Sequence, residues 1–309
     1  MHLNHVRLGS GKPLLLVHGL GGSWRSWEPI LAPLSAQREV IAVDLPGFGG
    51  SAPLDELPSI GSLATALASF IAASGLQGVD AVGSSLGARV ILELGRRGGS
   101  VGAIVALDAG GFWEPWERHA FFASTWLSMQ ALRAMRPLLP VLARSGAGRA
   151  LLLARLSARP VAVPPEMALQ EMRGYASTPA GRRLIFQLAY REPDLGAPPG
   201  ALREPVVIGW GRHDRIFSAA HARRALALFP DARLHWFEHC GHFPQWDAPD
   251  ATVRLILETT GTRGLDDPVS PGRTATSAAP PPGPGAGDHR AAGGASLRSG
   301  RRRFSLVLA

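Results

Sequence analysis

The sequence predicts an α/β fold: a doubly wound, mainly parallel sheet with helices on both faces and an inserted helical cap. Three observations carry that expectation. Short runs that are apolar nearly throughout recur along the chain. They alternate with stretches of helical periodicity. One interval, between Asp108 and Pro205, holds helical patterns and no convincing strand.

The elements follow in order. Before Leu14 the chain has room for about one strand. Pro13 to Gly19 (PLLLVHG) and Glu39 to Asp44 (EVIAVD) read as buried strands, each ended by Gly or Asp. Leu63 to Ala73 has helical spacing. Val79 to Gly83 is a third buried strand, Leu86 to Arg97 a helix, and Ala103 to Asp108 a fourth strand. After the strand-poor interval come a strand at Pro205 to Gly211, a helix at Ala219 to Phe229, a strand at Arg233 to Glu238 and a helix at Ala251 to Thr259. Strands with apolar residues on both faces must be covered on both faces, which implies a parallel sheet between helical layers.

The interval itself predicts four helices: Glu117 to Met135, Val141 to Leu156, Glu166 to Tyr175 and Gly181 to Tyr190. Pro165 and Pro179 stand where first-turn prolines stand, and Thr178 suits an N-cap. An insertion of about 90 residues is too long for a simple loop. The expected organisation is therefore core residues 1–111, cap 112–200, core 201–261 and a tail 262–309. The tail is rich in Pro, Gly, Ala and Arg and offers little to bury, so disorder is expected there.

The chemistry gathers at strand ends. Gly83-Ser84-Ser85-Leu86-Gly87 sits where a strand gives way to a helix. A tight elbow at that joint needs small flanking residues and lifts Ser85 Oγ above the sheet as a nucleophile. The alternative is a glycine-rich turn whose serine only caps the helix. Upstream, His18-Gly19-Leu20-Gly21-Gly22-Ser23 follows a strand and can aim backbone N–H groups at the same point. An attack on a carbonyl creates an oxyanion, and each missing donor costs about 2.7–4 kcal/mol of barrier. The N–H groups of Leu20 and Leu86 are assigned to it, while His18 is expected to bond within its loop. Asp214 follows a strand in GWGRHDRIF, and His242 follows another in FEHCGHFPQWDAP. The resulting order Ser85, Asp214, His242 matches one of the known triad arrangements. Asp108 stays open as the acid, and His239 as the base.

LLLVHGLGG, VIAVDLPGFGGS, AVGSSLGA, GRHDRIF and HCGHFPQWDAP together resemble the α/β-hydrolase family over about Val6 to Thr260. The resemblance implies a Ser85 nucleophile, a His242 base, an orienting Asp214 and a helical cap. DLPGFGGS is expected to carry structure rather than chemistry. A serine at the elbow argues against the dehalogenase and epoxide-hydrolase chemistry of the family, which uses an aspartate there. Ester hydrolysis is the first expectation. Carbon–carbon bond hydrolysis, a cofactor-free peroxidase or lyase, and a catalytically silent binding module remain open. Trp24, Trp113 and Trp126 are candidate substrate contacts. No cofactor and no metal are expected, since there is neither an H-x-x-x-H pair nor a cysteine cluster.

Composition bounds the partners. The formal charge is +8, and residues 262–309 carry half of it through seven arginines against three aspartates. Lys12 is the only lysine, and no nucleic-acid motif appears, so nucleic-acid binding is not expected. Cys240 is the only cysteine, which permits no intrachain disulfide. The N-terminus has no secretory pattern and no run suits a membrane span, so a cytoplasmic monomer or homodimer acting on a small ester-type molecule is expected, without stable membrane association.

Overall fold

A computed structural model describes residues 2–178, 181–192 and 195–261. Pro179 and the tail 262–309 lie outside them. Seven strands form one sheet in the order β1-β3-β2-β4-β5-β6-β7. They are β1 (His5–Leu8), β2 (Pro13–Val17), β3 (Glu39–Val43), β4 (Val79–Ser84), β5 (Val101–Leu107), β6 (Val206–Gly211) and β7 (Arg233–Phe237). Only β1 runs antiparallel, pairing with β3 at the sheet edge; the other pairings are parallel. The one strand expected before Leu14 is β1.

Alternation along β2 explains the two-sided burial. Leu15 and Val17 enter one core, and Leu14 and Leu16 enter the other. All four are fully buried. The covering helices are α1 (Glu28–Ser35), α2 (Ile60–Ala73), α3 (Leu86–Arg97), and, later in the chain, those that follow β6 and β7. The sequence pattern does not reveal α1. Its Pro29 lies in the first turn, where a missing N–H is harmless. Pro33 forfeits one helical bond, and burial of Ile30, Leu31 and Leu34 offsets the loss.

Among the described residues five helices stand between β5 and β6: α4 (Pro115–Ala134), α5 (Leu139–Arg144), α6 (Gly146–Leu152), α7 (Pro165–Ala176) and α8 (Gly181–Tyr190). The stretch read as one helix over Val141 to Leu156 breaks at Ser145. Its hydroxyl accepts from the Gly148 N–H at 2.9 Å and starts α6. Pro165 opens α7 as its spacing implied. The chain closes with α9 (Ala219–Leu228), the single turn α10 (Pro244–Asp247) and α11 (Pro249–Thr260).

DLPGFGGS ties strand ends together. Asp44 accepts from the Trp24 N–H at 2.7 Å, from Asn4 Nδ2 at 2.7 Å and from the Gly50 N–H at 2.8 Å. Gly49 has φ +52°, and a Cβ there would stand 2.1 Å from Asp44 Oδ2. Among the described residues no helix is long and apolar enough to cross a membrane.

Candidate active site

The elbow is set by backbone sterics. Ser85 lies between β4 and α3 at φ 53°, ψ −110°, a region that costs a residue with a side chain about 1–3 kcal/mol. A Cβ on Gly83 would sit 2.5 Å from the Gly87 carbonyl, and one on Gly87 would sit 2.2 Å from Val17 O. No other residue type fits either place without moving the backbone. The strained turn is fixed by Ser85 N donating to Leu107 O at 2.9 Å and Gly110 N donating to Ser85 O at 3.2 Å. Ser85 precedes α3, yet its hydroxyl makes no capping bond to that helix. A serine that served only as a cap would make one. Ser84 is buried and its Oγ accepts from Gln245 Nε2 at 3.3 Å.

The glycine-rich loop runs beside this serine. A Cβ on Gly19 would meet Ser85 Cβ at 3.2 Å. His18 is fully buried; its Nδ1 donates to Gly19 O at 2.7 Å and its Nε2 accepts from the Leu45 N–H at 2.9 Å. A protonated ring would lose the second bond, and burial holds its pKa below the ordinary value. Leu20 and Leu86 line the cavity next to Ser85. Their N–H groups donate to no acceptor among the described residues. For Leu86 the reason is general: the opening N–H groups of a helix have no carbonyl behind them.

His242 Nδ1 lies 2.8 Å from Asp214 Oδ2, and both side chains are nearly inaccessible. Asp214 Oδ1 also accepts from the N–H groups of Ile216 at 2.7 Å and Phe217 at 3.0 Å. Phe217 packs its edge on the His242 ring at 5.2 Å. The loop is pinned from the cap side by His242 N donating to Leu156 O at 2.8 Å. His239 is exposed and stacks on His213 instead. Asp108 follows β5 beside this pair, wholly buried, with its Oδ1 accepting from the Gly211 N–H at 2.9 Å. Asp108, Asp214 and His242 bring one metal-ligand type atom each within 4.8 Å of one another.

Ser85 and His242 open into one cavity of about 420 Å³. Trp113, Phe121, Leu132, Met172 and Leu188 supply much of its apolar wall. Trp113 was expected there and stacks on Phe121 at 4.8 Å. The expectation fails for Trp24 and Trp126. Neither lines the cavity. Trp24 packs on the core behind the sheet with Arg25 over its ring at 4.4 Å. Trp126 faces Arg133 at 5.9 Å, on a side of α4 turned from the cavity, whereas Thr125 and Ser128 face it.

Sequence reasoning passed over Glu171. It lines the cavity, is buried, and accepts a hydrogen bond from Ser26 Oγ. Burial pushes its pKa up to about 7. The signal was present: Glu171 sits on the apolar stripe of α7, between Met167 and Ala168 on one side and Met172 and Tyr175 on the other. An acid at such a place is either paired or functional.

The model of the alpha/beta hydrolase family matches residues 14–255. The 2-hydroxymuconate semialdehyde hydrolase of Pseudomonas putida is 30% identical over 273 residues, covering 80% of this chain and 86% of its own length. The 2-hydroxy-6-oxo-6-phenylhexa-2,4-dienoate hydrolase of Burkholderia cepacia is 25% identical, covering 84% of this chain and 90% of its own. A solved thermophilic esterase from Thermogutta terrifontis superposes with a TM-score of 0.64 at 20% identity, over 83% of this chain and 92% of that one.

Proposed function

This chain belongs to the alpha/beta hydrolase family, and within it we propose a serine hydrolase that cleaves carboxylic esters of small to medium apolar molecules. One observation carries the reading. Ser85 is held in a strained turn with a hydroxyl that caps nothing, and it shares its cavity with a histidine whose far nitrogen is bound to Asp214.

The steps follow from those groups. Asp214 holds His242 in the tautomer with its proton on Nδ1 and its Nε2 free to act as a base. His242 takes the Ser85 proton as Oγ attacks the ester carbonyl. The N–H groups of Leu20 and Leu86 receive the oxyanion. His242 returns the proton to the leaving alcohol, and water then attacks the acyl-enzyme by the same route. Asp214, fixed by two backbone N–H donors and the ring, stabilises the imidazolium without taking its proton.

A second reading has its own support. Several curated relatives are hydrolases of 2-hydroxy-6-oxo-dienoates by name. Hydrolysis there would cleave a carbon–carbon bond, with an enol in place of the alcohol as leaving group. The carboxylate of such an acid would find Arg155 in the wall of the cavity, on the cap. The test sets p-nitrophenyl esters of increasing acyl length against a 2-hydroxy-6-oxo-dienoate. The ester reading expects the higher kcat/KM on an ester and labelling of Ser85 by a fluorophosphonate. Preference for the dienoate by tenfold or more would move the assignment to the second reading. No labelling of Ser85 would overturn both.

A further inference from the structure

Asp108 has no part in those steps, yet it lies against the acid that does. Its residue is 0% exposed and its backbone takes φ 45°, a left-handed turn that Asp tolerates better than most side chains. Oδ1 accepts from the Gly211 N–H, while Oδ2 is buried and meets no donor among the described residues. A buried carboxylate oxygen without a donor is costly, so it calls for an explanation.

The neighbouring charges supply one. Two carboxylates in one dry pocket do not both stay ionised. Asp214 accepts three N–H bonds, from His242, Ile216 and Phe217, and so takes the charge. Asp108 accepts one, so it keeps the proton. Oδ1 is already occupied as an acceptor, which leaves the proton for Oδ2. We propose that Asp108 is a positioning residue in its acid form: its Oδ2–H donates to the Asp214 carboxylate, which in turn holds His242. This inference rests on the triad reading given above.

The surroundings agree. Burial first, then Asp214, drives the Asp108 pKa well above the usual carboxylate range. Asp247, on α10, adds a further negative charge. Asp247 is itself met by the N–H groups of Ala158 and Gly241 and by the Ser157 hydroxyl. His221 faces Asp214 from α9, with a pKa lowered by burial. Burial pushes the Cys240 thiol nearby up to about 12 so that it stays neutral, and the Arg159 charge acts against that shift. A bond donated to Asp214 draws negative charge away from the carboxylate that holds His242 Nδ1.

Two measurements test this. The first reads the proton without reference to catalysis. An infrared difference spectrum of wild type minus Asp108→Asn, taken near pH 9, is expected to contain the band of a protonated carboxyl. Its absence overturns the proposal even if the triad is correct, and its presence stands even if the triad is wrong. At that pH Glu171 is ionised and does not contribute. The second reads positioning, through the acid limb of the kcat/KM profile. Asp108→Asn can still donate at the same place and is expected to leave that limb within about 0.3 unit of wild type. Asp108→Leu removes the donor, so Asp214 regains its full charge and the limb is expected to rise by about one unit. A limb that falls by a unit in Asp108→Asn would mean that Asp108 is charged in wild type. A folded Asp108→Leu with an unmoved limb would mean that it positions nothing. Activity lost on prolonged chelation and restored by a divalent cation would put a metal among these atoms instead, and also overturn the proposal.

Discussion

At the elbow, a Cβ on Gly87 would stand 2.2 Å from the Val17 carbonyl. Across the same cavity the cap presents Leu132, Met172 and Leu188, for which other apolar side chains of similar volume would serve. One wall is made by backbone that admits a single residue type. The other is made by side chains that many sequences could supply. The difference teaches where a lone sequence carries information. Where geometry forbids a Cβ, the residue type is forced and leaves a motif. Where a cavity needs only volume and apolarity, the pattern is helical periodicity, which any buried helix also shows. The two walls also meet backbone to backbone. A Cβ on Gly174 of α7 would lie 2.2 Å from Gly21 O, so the cap rests directly on the glycine-rich loop.

The elbow side should respond most sharply. Ser85→Ala is expected to lower kcat by about 10³-fold or more, leaving KM little changed. Ser84→Ala, which removes only the bond to Gln245, should stay within about threefold. Stopped assays on a p-nitrophenyl ester decide between them. Equal losses in the two variants would mean that the elbow, not the Ser85 hydroxyl, is what activity needs.

The legibility of the molecule follows the same division. The strands β2 to β6 can be read because each is mostly apolar on both faces and ends in Gly, Asp or a turn, and the edge strand β7 because Leu234, Trp236 and Phe237 stand before a turn. Ser85, Asp214 and His242 can be read because each stands at a strand end beside residues that tight turns demand. The helix α1 is hidden because its two prolines are local signals, and burial of Ile30 and Leu34 outweighs them. Trp24 and Trp126 are misread because aromatic residues near a motif carry no direction. Which way a ring points depends on packing that the sequence does not state. Glu171 is legible only in hindsight, as an acid on an apolar stripe.

Glu171 also gives the intermediate effect, and it lies on the cap side. Its buried carboxyl has a pKa near 7 in the folded chain, raised from the ordinary 4.5. The unfolded chain therefore releases this proton first. The acid form favours the fold fully below about pH 4.5, and that contribution is lost as pH rises through 7. The whole difference is about 3 kcal/mol at most, from about 1.4 kcal/mol per unit. Glu171→Gln keeps the shape and a partner for Ser26 without titrating. The prediction is that the Tm of Glu171→Gln, measured relative to wild type, rises between pH 5 and pH 8. A constant difference across that range would mean that Glu171 ionises in the folded chain as it does in the unfolded one. In that case the carboxyl would contribute nothing to a pH-dependent hold of α7 on the Ser26 turn.

The smallest effect separates two tryptophans of the cap region. Trp113 is 8% exposed, faces the cavity and stacks on Phe121. Trp126 is half-buried on the other side of α4, with the Arg133 guanidinium over its ring. Trp113→Leu enlarges the cavity beside Ser85 while leaving an apolar wall, so longer or bulkier acyl groups should gain. One or two methylenes in an apolar pocket are worth about 1–3 kcal/mol, so a shift of about tenfold in the ratio of long-chain to short-chain kcat/KM is expected. Trp126→Leu alters no cavity surface, and the same ratio should stay within about twofold of wild type. The ratio is the quantity to compare, because a general loss of stability lowers both rates alike and leaves it unmoved. Should Trp126→Leu shift the ratio as far as Trp113→Leu does, chain length is not selected by the wall that Trp113 forms. The cap would then act on substrate through its position over the elbow rather than through the side chains it turns inward.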